Sequence, residues 1–310
     1  MAAKGAVGTM DRMTKTEAPS VLLLGLGEGG AYLAEALGAA EPAPRRLAYD
    51  AAVAGPGAAR LREKAAGLGL ELQDSIGDRA GAVDVVFSLV PGSVAVAAAR
   101  ELKPVLAPGA LYVDLNSITA AMVHEIAVVL DGSGVDLVDG AVLGNFRAGG
   151  RVPVLLAGAR AGEVRDLLDG ARFKPACIEG PPGDASAIKM LRSVLMKGLE
   201  ALFVESLVAA EVQGLRPAFL KAFDDLDERP FATTMEVQTV THLVHAARRL
   251  GEIERVQSIL QADGVDDTMT EASRRLYAKT VAAGVAPDGG APLSLDETLA
   301  VLTRVFRAGD

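Results

Sequence analysis

A chain of 310 residues, half of them hydrophobic and 23% charged, is long enough for two folded domains and too apolar to stay disordered. Its net charge of -9 and the lack of any Lys/Arg run argue against nucleic acid or an anionic membrane surface as the main partner, which leaves a small molecule. One cysteine, Cys177, cannot close an intramolecular disulfide, and three scattered histidines with no cysteine nearby give no zinc spacing, so a metal-free cytoplasmic protein is expected.

Residues 1–19 read as a loose leader, since they lack the continuous apolar stretch of a signal peptide; Met10 and Met13 leave the natural start open. No later run approaches the roughly 20 apolar residues that a membrane-spanning helix needs. Val21 to Leu24 then predict a strand that enters Gly25-Leu26-Gly27-Glu28-Gly29-Gly30 and a helical pattern. Gly25 suits a tight turn, Gly27 lets backbone approach a pyrophosphate, and Gly30 lets the helix pack close to the strand. Together with Glu28 and Gly29 they form a candidate dinucleotide loop, and the helix N-terminus behind it offers free N–H groups to phosphates.

In a chain with 34 glycines such a motif needs context. The stretch "RRLAYD" supplies it: a second short strand ending in Asp50, twenty residues beyond Gly30, where a carboxylate would accept hydrogen bonds from both ribose hydroxyls. The alternative is a turn aspartate with no ligand. Ala51 and Ala52 place no arginine beside Asp50, which favours NAD, while Arg45, Arg46 or Arg60 folding back would favour NADP.

Strand-like runs then alternate with helical ones: 83–91, the helix 93–103, 110–117, the helix 119–130, and 135–144. Val90 and Pro91, which close the first of these runs, are assigned with the glycine loop to the cofactor. Residues 151–158 and 173–180 add two short strands around a helix at 161–168, and after Gly183 the strands stop. A long helix from Ser186 to about Val212 follows, then turns near Gly214, Pro230, Gly264 and 283–293, and the capping-box pattern Ser294-x-x-Glu297 opens a last helix. The expected fold is α/β: a Rossmann-type, doubly wound parallel sheet over 20–183, followed by an all-helical domain over 184–310.

Several stretches together resemble the 3-hydroxyacid dehydrogenase superfamily, which includes 3-hydroxyisobutyrate and 6-phosphogluconate dehydrogenases. The resemblance is strongest to its phosphogluconate dehydrogenase-like branch. The residues that carry it are "GLGEGG" (25–30), "VDLNS" (113–117), "VDGAVLGN" (138–145), "GPPGDASAIKM" (180–190) and the run 245–272, in the family's order. The resemblance implies that Lys189, after the glycine-rich entry to its helix, is the proton carrier. Periodicity alone is met equally well by a solvated face, because Lys189, Arg192, Ser193, Lys197 and Glu200 share one polar side. A partly desolvated lysine has its pKa lowered toward the working pH, as proton exchange with a hydroxyl requires.

Three places depart from the family pattern. Ser193 stands where the family places an asparagine against the reacting hydroxyl. Leu143-Gly144-Asn145 replaces a Ser-Gly-Gly turn that holds a substrate carboxylate, and Asn116-Ser117 replaces Ser-Thr after Asp114-Leu115. Asn116, Ser117, Gly144 and Asn145 are taken as substrate-holding residues, and Ser193 as a second catalytic residue. In the helical region His245 and Arg249, four apart, could meet an anionic group; the other reading makes them ordinary surface charges, with Arg248 or Arg249 paired to Glu252. Glu205 is read as structural.

The resemblance implies an NAD(P)-dependent dehydrogenase acting on a CH–OH group of a small 3-hydroxy acid-like substrate, with NAD as cofactor and NADP left open. It also implies a homodimer or larger homo-oligomer joined through the helical domain. Two alternatives stand beside it: an imine reductase-like enzyme, whose family usually lacks a lysine equivalent to Lys189, and a non-catalytic dinucleotide-binding protein.

Overall fold

A computed structural model describes residues 18–144, 146, 151–169, 171–223 and 230–307. The leader expected over 1–19 therefore lies, up to residue 17, outside the described residues, as does Asn145. The chain divides into two compact units, residues 1–193 and 194–310.

The first unit is built on an eight-stranded sheet. In chain order its elements are β1 (Val21–Leu24), α1 (Glu28–Gly38), β2 (Arg46–Tyr49), α2 (Ala58–Gly67), β3 (Glu71–Leu72), β4 (Val85–Ser88), α3 (Ala95–Leu102), β5 (Leu111–Asp114), α4 (Ala120–Leu130), β6 (Asp136–Val142), β7 (Val152–Ala157), α5 (Ala161–Asp169) and β8 (Phe173–Cys177). The strands lie in the order β3-β2-β1-β4-β5-β6-β7-β8. The chain moves outward from β1 to β3, returns to β4 on the other side of β1, and so creates the crevice at strand carboxyl ends where open α/β sheets bind ligands.

Both faces of the sheet are covered at its centre, which is why β1, β4 and β5 are buried along their whole length rather than on alternate residues. Along β1, Val21 and Leu23 pack with Leu33 and Leu37 of α1 and Leu61 of α2. Leu22 and Leu24 face the opposite side, with Ala99 and Leu102 of α3 and Val123 and Ile126 of α4. All four β1 side chains are at most 1% exposed. Each contributes roughly 1.5–3 kcal/mol of burial.

The expected doubly wound sheet is mostly parallel, with one exception. The sheet is not parallel throughout: β6 and β7 pair antiparallel, Asp139 opposite Ala157 and Val142 opposite Val154. Only residues 143–151 separate the two strands, too few for the crossover of a dozen or more residues that a parallel pair needs. β7 and β8, which have α5 between them, are parallel again.

The long helix α6 (Asp184–Val212) runs through the division between the units. Its first turns belong with the sheet, because Ala185 packs against Ala141 and Ala157, and Ser186 is hydrogen-bonded to β6. The second unit holds the rest of α6 together with α7 (Arg216–Lys221), α8 (Phe231–Val240), α9 (His242–Ala262), α10 (Thr268–Ala282) and α11 (Leu295–Phe306). Ser294 and Glu297 form the expected capping box at the start of α11. Glu205 accepts hydrogen bonds from Met269 N (2.7 Å), Thr270 N (2.9 Å) and Thr270 Oγ1 (2.6 Å), and so caps α10 from a neighbouring helix. Among the described residues no helix is long and apolar enough to cross a membrane.

Candidate active site

The turn after β1 needs glycine at two places for different reasons. Gly25 has φ +89°, and a Cβ there would strike the carbonyl oxygen of Leu89 after β4. A Cβ on Gly30 would strike the carbonyl oxygen of Gly25 itself, so α1 begins as close to the strand as backbone allows. Gly27 differs from both: it is the N-cap of α1, no side chain caps the helix, and nothing lies within 4 Å of where its Cβ would be. The first amides of α1 therefore open toward free space with their dipole positive, and this stretch fits a bound phosphate. Glu28 opens α1 at the surface, and Gly29 packs beneath the ring of Phe146, whose Cε2 would lie 3.0 Å from an added Cβ.

Asp50 closes the same turn from β2. Its Oδ2 accepts from Leu26 N at 2.8 Å and its Oδ1 from Ala52 N at 3.0 Å, which fixes the carboxylate to the glycine loop and leaves further lone pairs on both oxygens. Of the arginines considered for a 2′-phosphate, Arg45 pairs with Glu71 and Arg46 donates to the Ala34 and Leu68 carbonyls. Arg60 lies on α2, exposed.

Beside the loop, at the carboxyl ends of β4, β5 and β6, is a cavity of about 430 Å³. Its walls bring together seven residues selected from sequence: Gly29, Val90, Pro91, Asn116, Ser117, Gly144 and Lys189. Leu89, Leu115, Val142 and Phe146 supply apolar wall. The size and the mix of apolar wall with a few convergent polar groups are those of a small-molecule site.

Lys189, in the second turn of α6, donates from Nζ to Ser117 Oγ at 2.8 Å. Desolvation lowers its pKa below the ordinary lysine value, and the nearby carboxylates of Asp114 and Asp139 oppose that shift. These two aspartates are fully buried neighbours in register on β5 and β6. Burial pushes Asp114 up to about 7, against the hydrogen bonds it accepts from Asn116 N and Nδ2. Asn116 Nδ2 also donates to Ser88 Oγ at 2.9 Å, while its Oδ1 is buried without a partner.

Asp139 holds the helix that carries the lysine. Its Oδ2 accepts from Gly183 N and Ser186 N, both at 2.9 Å, and its Oδ1 from Ser186 Oγ at 2.6 Å. Sequence reading singled out neither this role nor Lys64, whose Nζ donates to the carbonyls of Leu26 (2.5 Å) and Gly27 (3.2 Å) in the loop. The signal for Asp139 was a charged residue inside an otherwise apolar strand run; for Lys64 there was none.

Ser193 lies one turn beyond Lys189 on α6, half-buried, and its side chain makes no hydrogen bond among the described residues. His245 and Arg249 belong to the second unit. There Arg249 Nη2 donates to Thr241 Oγ1 at 3.0 Å, and Arg248 rather than Arg249 pairs with Glu252.

No family model matches the chain. A conserved hypothetical protein from Sinorhizobium meliloti is 30% identical to it, with a TM-score of 0.59 over 94% of this chain and 98% of that one. A second solved protein, 28% identical with a TM-score of 0.57 over 88% of this chain and 99% of the other, is of unknown function and described as structurally similar to 3-hydroxyacid dehydrogenases. The chain thus shares the fold of a protein described as structurally similar to 3-hydroxyacid dehydrogenases. The chain also shares its fold with an imine reductase from Myxococcus stipitatus, solved as a variant with NAD+, at 20% identity and a TM-score of 0.73 over 91% of this chain and all of that one.

Proposed function

We propose that this protein is an NAD(P)-dependent oxidoreductase that acts on the hydroxyl-bearing carbon of a small, 3-hydroxy acid-like substrate, or on the corresponding carbonyl. The observation that carries this is Lys189 Nζ, desolvated and 2.8 Å from Ser117 Oγ, in the cavity that Gly29, Val90 and Pro91 also line. The first amides of α1, with Gly25, Gly27 and Asp50, would hold the dinucleotide, and the nicotinamide supplies the hydride chemistry when bound. Neighbours that share the fold are solved with NAD+ and with NADP+, which supports this class of cofactor.

Lys189 takes the substrate hydroxyl proton at Nζ in the oxidative direction and returns it in the reductive one. Burial lowers the pKa of this lysine below its ordinary value, so it gives up its proton more readily than a solvated lysine, which favours proton exchange with a hydroxyl. Ser117 Oγ orients the amine. Asn116, Ser117 and Gly144 would contact the substrate, against the apolar wall of Leu89, Val142 and Phe146. Ser193, one turn beyond Lys189 on α6, would be the second catalytic residue and steady the reacting oxygen, and Asn145, assigned to substrate contact, lies outside the described residues. Apolar side chains exposed along α6, Phe203, Val204 and Val208 among them, support assembly with a second copy.

The test is turnover by wild type and Lys189→Ala across a panel of 3-hydroxy acids with NAD and NADP. A positioned acid–base group is worth on the order of 100-fold or more, so a variant within about tenfold of wild type overturns the role. A second reading, imine reduction, draws on the fold likeness to imine reductases and on Leu143 standing in place of a carboxylate-holding serine. Cyclic imines with NADH or NADPH in the same panel separate the two. A protein that binds dinucleotide without turning it over would show binding and no Lys189-dependent change in cofactor redox state.

A further inference from the structure

The cofactor reading leaves one basic helix face without a purpose. α2 carries Arg60, Arg62 and Lys64. Arg62 pairs with Asp74, whereas Arg60 and Lys64 have no carboxylate within ion-pair distance among the described residues. The Lys64 ammonium instead rests on the carbonyls of Leu26 (2.5 Å) and Gly27 (3.2 Å), which use two of its three N–H donors. Two uncompensated cations four residues apart on one helix face repel each other unless an anion sits between them.

Leu26 ties this charge to the ribose end of the loop. Its N–H donates to Asp50 Oδ2 at 2.8 Å while its carbonyl accepts from Lys64, so a carboxylate and an ammonium flank a single residue. Asp50 is also held by Ala52 N at 3.0 Å, and two backbone N–H donors offset part of its repulsion of an anion. Arg45 and Arg46 are engaged with Glu71 and with the Ala34 and Leu68 carbonyls. The cation left beside the loop is Lys64, and Arg60 lies one turn before it on α2.

We propose that Lys64, aided by Arg60, binds a phosphate carried on the ribose next to Asp50, so that the site takes the 2′-phosphorylated dinucleotide in preference to the unphosphorylated one. The proposal rests on the dinucleotide reading of the Gly25–Gly30 loop. Chemically the subsite is an ammonium and a guanidinium facing a phosphate dianion, with one donor of Lys64 still unused in the ligand-free loop.

The experiment is a fluorescence titration of NADPH and NADH into wild type, Lys64→Met and Lys64→Arg, with adenosine 2′,5′-bisphosphate against ADP as a probe that needs no hydride chemistry. Wild type is expected to bind the 2′-phosphorylated member of each pair more tightly. Lys64→Met loses about tenfold more affinity for NADPH than for NADH, and Lys64→Arg, which keeps the charge, retains the wild-type ratio within about threefold. Equal losses for both dinucleotides in Lys64→Met would reduce Lys64 to a clamp on the loop and overturn the proposal. So would a wild type that binds the bisphosphate no tighter than ADP. If NADH binds and this selectivity is absent, only the phosphate subsite fails; if neither dinucleotide binds, the oxidoreductase reading fails with it.

Discussion

The fully buried Asp139 carboxylate of β6 accepts hydrogen bonds from both Ser186 N (2.9 Å) and Ser186 Oγ (2.6 Å), one turn before Lys189 on α6. A helix normally finds its N-terminal cap in its own sequence. Here the neighbouring sheet provides it, so the height and rotation of the Lys189 side chain are referred to the strands that form the cavity floor. Asp139→Ala leaves three buried donors without an acceptor and is expected to cost about 3 kcal/mol or more. Asp139→Asn, which keeps one carbonyl acceptor, costs less than half as much. Urea unfolding of the three proteins checks this; equal midpoints for wild type and Asp139→Ala would remove Asp139 from the account of how Lys189 is held.

Gly25 and Gly27 separate folding from binding. At Gly25 a Cβ meets backbone in a left-handed conformation, so Gly25→Ala is expected to lower stability by about 2 kcal/mol or more. At Gly27 the backbone is not left-handed and the space is open, so Gly27→Ala folds as wild type does, yet fills the path by which a pyrophosphate reaches the helix amides. The outcome expected is a normal thermal midpoint and at least tenfold weaker dinucleotide binding. Unchanged affinity in Gly27→Ala would mean that no phosphate lies against this turn.

Asp114 makes stability depend on pH in the direction opposite to most carboxylates. Its folded pKa, about 7, lies above the ordinary 3.8 because burial disfavours the charge. Between those values the folded state holds a proton that the unfolded state has released, so stability falls as pH rises through the window and levels off above it. The full span is on the order of 4 kcal/mol. Asp114→Asn abolishes this component. Its stability relative to wild type should therefore climb between about pH 4.5 and 7.5 in urea titrations, whatever constant cost the lost acceptor adds. A difference that stays flat across that range contradicts a buried, neutral-range Asp114.

Lys189 carries the converse sign. Its pKa is lowered by desolvation, so from the folded value up to the ordinary 10.5 the unfolded chain binds more protons and stability rises with pH. Lys189→Met, which removes a poorly solvated charge and keeps the aliphatic stem, is expected to unfold at a higher temperature than wild type at neutral pH. That advantage should shrink on approaching about pH 10. A less stable Lys189→Met at neutral pH would point to a lysine that serves the fold and not a reaction.

The parts of this protein that were legible in sequence are those fixed locally. Strand, glycine turn and helix at 21–38 follow from residue order, because the constraints on Gly25 and Gly30 arise within a few residues of chain. The capping box at Ser294 and Glu297 is equally local. The antiparallel β6–β7 pair is not written in the strands themselves, because apolar runs look alike in either direction; the short link at 143–151 is what sets it. Asp114 and Asp139 were visible as letters, but their importance comes from being in register on adjacent strands, a relation that no linear pattern encodes. Lys64 reaches a loop 38 residues earlier through the packing of α2, and a solvent-facing lysine on a helix gives no warning of that.

Paired calorimetric titration of the purified protein with NADH and with NADPH reaches the central claim most directly. If the open N-terminus of α1 and the cavity at Lys189 are a dinucleotide site, at least one of the two binds stoichiometrically with Kd on the order of 10 µM or tighter, and Gly27→Ala weakens it. Binding of neither, by protein that is folded in the same buffer, would contradict the oxidoreductase assignment at its base.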